Sequence, residues 1–267
     1  MLGFRRLLVP LSFAIGLVAY LTPLGHGGTG PTTPMPAQTG FADVNGIQLF
    51  FRTYGRGDPV VLIHGGLSDS RVWRAQIERL STNHEVIVVD SRGQGRSTRT
   101  KAPITYDLMA DDYLALFDRL GLDKVALVGW SDGGIIGLDI AIRHPERLSR
   151  LFVQAANASP DGVVGFDPDR TAIPELRHYD TVEEEIEALW ANEPNFTAAE
   201  LASIAVPTEI VIGDHDEAIT REHTEYLAAT IPNARLLVLP DVGHSAPVED
   251  PDGYADAVLR FLDEDRT

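Results

Sequence analysis

The sequence predicts an α/β protein in which a mostly parallel β-sheet carries helices on both faces. Three observations predict it: buried apolar strands alternate with amphipathic helices, a Gly-x-Ser-x-Gly turn joins a strand to a helix, and two polar loops follow late strands. The chain has 267 residues, 44% of them hydrophobic and 23% charged. This length and composition favour one α/β domain with a small insertion over two independent domains.

The N-terminal segment is predicted to lie outside this domain. Basic residues at positions 5 and 6 precede an apolar stretch over residues 7–24, which predicts a signal peptide or an N-terminal membrane anchor in residues 1–24. The protein is then either exported, to the periplasm or the extracellular space, or tethered to a membrane through residues 7–24. Cleavage stays open because no A-x-A-like site follows. Residues 25–40 are rich in Gly, Pro and Thr and predict a disordered linker.

The domain itself is expected over residues 41–267, and its first half alternates strands and helices. Phe41 to Tyr54 alternates around Asn45-Gly46, which predicts a hairpin. The predicted strands that follow are Val60–Ile63, Glu85–Val89 and Val125–Val128, and the predicted helices are Arg71–Leu80, Tyr106–Leu120 and Ile135–Ile142.

The second half loses this rhythm and then regains it. After a strand at Leu151–Ala155, residues 158–202 contain several prolines and one acidic helix, Val182–Trp190, which predicts an inserted cap. The remaining predicted elements are the strands Pro207–Gly213 and Ala234–Leu239 and the helices Arg221–Ala229 and Asp252–Leu262.

Charge and cysteine content exclude several classes of function. The net charge of −17 argues against binding nucleic acid through a basic face. The chain has no cysteine, which excludes thiol catalysis, disulfides, iron–sulfur clusters and cysteine-based zinc sites. We therefore expect no nucleic-acid partner.

The turn Gly129-Trp130-Ser131-Asp132-Gly133 stands between a predicted strand and a predicted helix. A serine there lies on a sharp turn that requires glycine on both sides, with its hydroxyl exposed at the N-terminus of the helix. Backbone N–H groups and the helix dipole favour an oxyanion at that place. The alternative is a glycine-rich turn without chemistry.

A serine nucleophile needs a base, and the base needs a carboxylate that orients it. The loop Asp214-His215-Asp216-Glu217 and the pair Gly243-His244 both follow strands. Because the carboxyl ends of parallel strands lie at one edge of the sheet, both loops can reach Ser131. Asp214 and Glu217 compete with Asp216 for the acid, and the spacing from Gly213 favours Asp216.

A metal site is the competing interpretation of part of this region. Asp214, His215 and His223 offer metal-ligating side chains, but acidic loop residues beside a helix start are more often simply exposed to solvent. Gly93-x-Gly95 lacks the third glycine of a dinucleotide-binding loop and predicts a tight turn. We therefore expect no metal and no organic cofactor.

Taken together, five segments resemble the α/β-hydrolase fold superfamily, and the resemblance covers Phe41 to Leu262 except the cap. The segments are His64-Gly65-Gly66, Asp90-x-Arg92-Gly93-x-Gly95-x-Ser97, Gly129-x-Ser131-x-Gly133-Gly134, Gly213-x-x-Asp216 and Gly243-His244.

The resemblance implies a role for each matching residue. Ser131 is the implied nucleophile, His244 the general base and Asp216 the orienting acid. The backbone N–H groups of Gly66 and Asp132 are implied to form the oxyanion hole. The side chain of Asp132 departs from the small or apolar residue that is common there, which puts none of these assignments in doubt, since only the N–H is needed.

These assignments predict a serine hydrolase that cleaves a small ester or lactone through an acyl-enzyme. Hydrolysis of a carbon–carbon bond and perhydrolysis use the same triad and remain alternatives, as does a non-catalytic receptor or scaffold on the same fold. Leu67, Trp130 and Trp190 are expected to line the substrate pocket, with packing in the core as the alternative for the two tryptophans. The cap sequence specifies neither the substrate nor the oligomeric state.

Overall fold

A computed structural model describes residues 34–166 and 179–264. The predicted signal or anchor segment, most of the predicted linker and residues 167–178 of the predicted cap lie outside the described residues. No helix in the described ranges is long and apolar enough to cross a membrane.

Eight strands of the described chain form one sheet. The strands are β1 Gln38–Val44, β2 Ile47–Gly55, β3 Asp58–Ile63, β4 His84–Val89, β5 Val125–Trp130, β6 Leu148–Gln154, β7 Thr208–Gly213 and β8 Ala234–Leu239. Their order is β1-β2-β4-β3-β5-β6-β7-β8, and only the pairs that involve β2 are antiparallel. This confirms the predicted mostly parallel sheet.

Eight α-helices lie in the same described ranges. They are α1 Arg74–Leu80, α2 Tyr106–Leu120, α3 Asp132–Arg143, α4 Val182–Asn192, α5 Ala198–Ser203, α6 Arg221–Thr230, α7 Ala246–Glu249 and α8 Pro251–Asp263. The ends of α2 follow from local chemistry: the Thr105 hydroxyl accepts the Leu108 N–H at the start, and Gly121 ends the helix in the left-handed region at φ 68°.

Both faces of the sheet are buried, as the apolar strands predict. One core contains α2 and α3, represented by Tyr113, Phe117 and Leu138. The other contains α1 and α8, with Trp73 and Tyr254 among its largest side chains. Helices therefore cover the sheet on two sides, and polar loops remain free to meet at the carboxyl ends of the strands.

Several boundaries differ from the sequence prediction by one to three residues, and two of them have a clear local cause. The first strand begins at Gln38, three residues earlier than the expected start of the domain, because the backbone of residues 38–40 pairs with β2 although Gln38 and Thr39 are exposed. The helix predicted from Arg71 begins at Arg74, since Ser70–Trp73 forms a 3-10 turn capped by Asp69. The short helices α5 and α7 were not predicted, because six and four residues carry little periodicity.

The segment between β6 and β7 carries α4 and α5, and carboxylates attach it to the loop before α2. Buried Glu185 accepts hydrogen bonds from Arg99, at 2.8 Å, and from the Ile104 N–H, at 3.0 Å. Glu193 accepts the Tyr106 N–H at 3.0 Å. Ile186 and Leu189 of α4 extend the apolar core. Glu185 in α4 and Glu193 just after it therefore hold this segment against the loop before α2 and the first residue of that helix.

Candidate active site

Ser131 lies between β5 and α3 in a strained backbone conformation, with φ 54° and ψ −120°. A Cβ on Gly129 would lie 2.2 Å from the carbonyl oxygen of Gly133, and a Cβ on Gly133 would lie 2.1 Å from that of Ile63. Both glycines are therefore sterically required, as the turn predicts. A positive φ at a serine is a conformation that persists where the surroundings enforce it, and here it places the side chain at the start of α3.

The structure brings His244 and Asp216 to Ser131. Nε2 of His244 lies 3.1 Å from the Ser131 hydroxyl oxygen, and Nδ1 lies 3.1 Å from one carboxylate oxygen of Asp216 and 3.3 Å from the other. Because the carboxylate accepts, Nδ1–H donates to Asp216, which leaves Nε2 to accept the serine proton. The arrangement can remove a proton from the hydroxyl and stabilise the imidazolium that forms.

Asp216 is held in place by its own loop. Its carboxyl is buried, and one oxygen also accepts the backbone N–H groups of Ala218 and Ile219 at 2.9 Å each. The competing acids lie elsewhere: Asp214 is exposed, and Glu217 accepts the backbone N–H of His244 at 3.0 Å. Only Asp216 among these three acids touches the imidazole in the structure.

Several side chains support the loop of His244 in a role that the sequence did not predict. Trp130 donates its indole N–H to the His244 carbonyl at 2.9 Å, and Gln154 donates to the same oxygen at 3.2 Å. Glu249 accepts the N–H groups of Gly243 and Ser245 at 2.6 and 3.1 Å. No motif marks Gln154, Glu217 or Glu249, because a carboxylate or amide that binds backbone groups has no fixed spacing.

The metal alternative does not assemble as the sequence suggested. His223 accepts the Ala158 N–H through Nε2 at 2.9 Å, away from Asp214 and His215. Within the described residues, a different exposed trio, Asp214, His215 and Asp241, has ligand atoms within 4.8 Å of one another. Exposed acidic groups of this kind are common without an ion, and no buried ligand accompanies these three.

The loop after β3 lies against the serine turn. A Cβ on Gly65 would lie 3.1 Å from Cβ of Ser131, and Leu67 follows with φ 56° and a largely exposed side chain. His64 shapes this loop: its Nδ1–H donates to the Gly65 carbonyl at 2.7 Å, and its Nε2 accepts the Ser91 N–H at 2.9 Å. Burial lowers the pKa of His64, which keeps the ring neutral.

The backbone N–H groups of Gly66 and Asp132 have no hydrogen-bond partner among the described residues, and both residues lie where this loop meets the serine turn. Asp132 is the first residue of α3, so its N–H has no intrahelical acceptor. Two donors next to a serine and at a helix N-terminus can stabilise a negatively charged oxygen.

The Asp90–Ser97 loop supports this edge of the sheet without contacting Ser131. The buried Asp90 carboxylate accepts the N–H groups of Ser70 and Arg96 at 2.9 Å each. Gly95, at φ 56°, allows this close approach, since a Cβ there would lie 2.4 Å from the Asp90 carboxylate. The predicted tight turn therefore has a structural role, since it stabilises the loop at this edge of the sheet.

The side chain of Asp132, for which the sequence predicted no role, makes specific contacts in the structure. One carboxylate oxygen, Oδ1, accepts the Tyr106 hydroxyl at 3.0 Å and the Trp190 indole N–H at 2.8 Å. The other, Oδ2, is buried without a partner. Burial raises the pKa of Asp132 to about 6, although both donors oppose the shift. A carboxyl group thus joins α2 and α4 to the serine turn.

The three residues expected to line a pocket have different surroundings. Trp130 is buried in the core beneath His244, with ring centroids 6.0 Å apart, and supports the histidine instead of facing a pocket. Trp190 is half-buried on α4, where a Cβ on Gly66 would lie 2.6 Å from its ring. Trp190 and the exposed Leu67 therefore lie beside Gly66, whereas the buried Trp130 ring packs against Gly65, where a Cβ would lie 3.3 Å from it.

Comparisons with known proteins agree with this fold. The model of the alpha/beta hydrolase fold family matches residues 58–174. RutD of Pseudomonas savastanoi pv. phaseolicola, a carbamate hydrolase by name, is 28% identical over 243 residues, which cover 76% of this chain and 93% of that protein.

Two solved structures extend the comparison. A thermophilic esterase from Thermogutta terrifontis has a TM-score of 0.73 at 27% identity, and the match covers 88% of this chain and 100% of that one. The enol-lactonase from Burkholderia xenovorans LB400 has a TM-score of 0.71 at 25% identity, and the match covers 83% of this chain and 99% of that one.

The sheet order, the strained serine turn and these matches define one class of protein. The chain has the fold of the α/β-hydrolase superfamily and is similar to members of it. It is a hydrolase enzyme.

Proposed function

We propose that the protein is a serine hydrolase that cleaves a small ester or lactone through an acyl-enzyme. One observation carries the proposal: His244 lies within hydrogen-bond distance of both Ser131 and Asp216. Three side chains in that order form the group that converts an ordinary hydroxyl into a nucleophile.

The first half-reaction forms the acyl-enzyme. The Ser131 oxygen attacks the carbonyl carbon while its proton passes to Nε2 of His244, and the N–H groups of Gly66 and Asp132 receive the developing oxyanion. The tetrahedral species collapses, the carbon–oxygen bond to the leaving alcohol breaks, and His244 returns the proton to that oxygen. Asp216 keeps Nδ1–H oriented throughout.

The second half-reaction releases the acid. Water attacks the acyl carbonyl, gives its proton to His244, and forms a second tetrahedral species on the same two N–H groups. This species collapses by breaking the bond to Ser131, which takes the proton back from His244. One water is consumed for each ester bond cleaved.

The relatives support the substrate class. The solved structures named above include an esterase and an enol-lactonase that match along nearly their whole length, and both names denote cleavage of a carbonyl–oxygen bond. The export or membrane anchoring expected from residues 1–24 is kept as a proposal beside this one.

Labelling with a fluorophosphonate probe, followed by hydrolysis of p-nitrophenyl esters of different chain lengths, tests the proposal. We expect labelling and turnover in the wild type, and loss of both in Ser131→Ala. Ser203→Ala, which removes an exposed hydroxyl at the end of α5, is the matched control and should behave as the wild type. A Ser131→Ala variant that is still labelled would remove Ser131 from the mechanism, and an unreactive wild type would favour the scaffold alternative.

A further inference from the structure

We propose that Asp132 determines specificity, and that the enzyme favours esters whose acyl group carries a protonated amine. The inference rests on the proposed function, because it names the class of acyl group that the same site accepts. It goes beyond the catalytic residues, since the chemistry itself needs only the Asp132 backbone N–H.

The two carboxylate oxygens of Asp132 differ in their hydrogen bonds. Oδ1 receives both of the donors that contact Asp132, the Tyr106 hydroxyl and the Trp190 indole N–H, and both donors are neutral. Oδ2 is buried with no partner, and no arginine or lysine of the described chain pairs with this carboxyl. His244, when protonated, lowers the pKa of Asp132 by charge attraction alone, without a hydrogen bond. A buried carboxylate oxygen without a partner is unfavourable, which calls for a donor from outside the chain.

The unpartnered Oδ2 of Asp132 lies next to the proposed oxyanion hole. A Cβ on Gly66 would lie 2.5 Å from Oδ2, so this oxygen lies directly against the residue whose N–H is proposed to bind the oxyanion. The same Cβ would lie 2.6 Å from the ring of Trp190, which closes this place on the side of α4. A group attached next to the scissile carbonyl would therefore lie close to Oδ2, once the half-buried indole shifts to admit it.

The negative charge of the Asp132 carboxylate also affects the reaction. An uncompensated carboxylate beside the oxyanion hole repels the negative charge that forms on the carbonyl oxygen. An ammonium group on the substrate removes this repulsion and supplies the missing donor to Oδ2 in one contact. The net charge of −17 also favours the approach of cationic over anionic substrates.

A purely structural role for Asp132 does not account for the charge. An asparagine would accept the same two hydrogen bonds from Tyr106 and Trp190 through its carbonyl oxygen, without burying an ionisable group. The carboxylate is therefore the feature that needs a ligand.

The test compares the benzyl esters of glycine and of propionic acid. The two differ only in the group on the α-carbon, which is an ammonium in the glycine ester and a methyl group in the propionate. At pH 7 the glycine ester is largely protonated, because an α-amino group titrates at about 7.7–8.0. We expect kcat/KM for the glycine ester to exceed that for the propionate at least about tenfold in the wild type. Asp132→Asn should reduce this ratio by roughly 10- to 100-fold, mainly by slowing hydrolysis of the glycine ester.

The matched control is Tyr106→Phe, which removes a donor to Oδ1 but keeps the carboxylate and should keep the preference for the glycine ester. A measurement that needs no variant is protection of the wild type from the fluorophosphonate by glycinamide and by propionamide. We expect glycinamide to protect at a concentration about tenfold lower or less, because a charged hydrogen bond contributes this much.

Two results overturn the inference while the proposed function stands: a wild-type enzyme that hydrolyses both esters without preferring glycine, or an Asp132→Asn variant that hydrolyses both and keeps the preference. Equal protection by the two amides has the same meaning. An enzyme that cleaves neither ester and is not labelled by the fluorophosphonate rejects the proposed function instead.

Discussion

Replacing Asp132 by asparagine should make the stability of the protein less dependent on pH. The substitution preserves the shape of the side chain and an oxygen that can accept the hydrogen bonds from Tyr106 and Trp190. It removes the ionisable group. Any change in the pH dependence of unfolding therefore reports the titration of this one carboxyl.

The sign follows from the direction of the shift. Burial raises the pKa of Asp132 from an ordinary value of 3.8 to about 6 in the folded protein. Between these two values the folded state binds more protons than the unfolded state, so the free energy of unfolding decreases as pH rises. The stabilising contribution of the protonated carboxyl is complete below the lower value and is lost above the higher one.

The magnitude follows from the same values. A shift of about 2 pKa units at about 1.4 kcal/mol per unit corresponds to roughly 3 kcal/mol of unfolding free energy in all. About 2.4 kcal/mol of it is lost between pH 4 and pH 8, because the carboxyl of the unfolded chain is already partly ionised at pH 4. The asparagine variant has no such loss at this position. Its amide nitrogen would lie near the unpartnered Oδ2 site and costs about 1 kcal/mol at every pH. The variant should therefore match or fall slightly below the wild type at pH 4 and exceed it at pH 8.

Urea denaturation followed by circular dichroism at pH 4, 5, 6, 7 and 8 measures this difference. A low protein concentration avoids aggregation near the isoelectric point of about 4.7. Asp139, whose pKa burial raises to about 7, contributes a loss of the same sign in both proteins, so it cancels in the comparison. A difference in stability that stays constant from pH 4 to pH 8 would refute the assignment of a raised pKa to Asp132.

Three further predictions concern the site and the N-terminus. Asp216→Asn should fold normally and lose on the order of 10³–10⁴ in kcat, because it leaves the imidazole in the wrong tautomer, whereas the exposed Asp214→Asn should retain nearly all activity in the same ester assay. Treatment with EDTA should leave ester hydrolysis unchanged, since the proposed nucleophile is a serine hydroxyl; activity that disappears with the chelator and returns with a divalent metal would contradict this. Deletion of residues 1–36 should preserve esterase activity and thermal stability because β1 begins at Gln38, while deletion through residue 44 removes that strand and should lower the melting temperature; equal stability of the two truncations would show that β1 contributes nothing.

Local patterns predicted most of the fold. Helix α2 and strand β8 have the predicted boundaries, because α2 carries its own caps and β8 is a compact run of apolar residues between turn residues. The serine turn could also be predicted from the sequence, since its backbone requires glycines at fixed positions. The neighbouring loops could be placed at the same edge because the carboxyl ends of parallel strands meet there.

The side-chain contacts around the site could not be predicted from local sequence patterns. Tyr106 and Trp190 reach Asp132 from positions 26 and 58 residues away, and no periodicity connects such distant residues. The role of Glu249 depends on backbone N–H groups that only the folded loop presents. Trp130 was expected in a pocket because it adjoins Ser131 in sequence, but successive residues at the end of a strand point in different directions, and its indole lies in the core.

The most direct test of the central claim is to identify the atom that carries the acyl group during turnover. Trypsin cleaves after Lys124 and Arg143 and releases the peptide Val125–Arg143, in which Ser131 is the one hydroxyl-bearing side chain. We expect the wild type, mixed with p-nitrophenyl butyrate and quenched in acid within milliseconds, to yield this peptide with one butyryl group added at Ser131. Rapid release of p-nitrophenol with this peptide unmodified at every quench time would contradict an acyl-enzyme on Ser131.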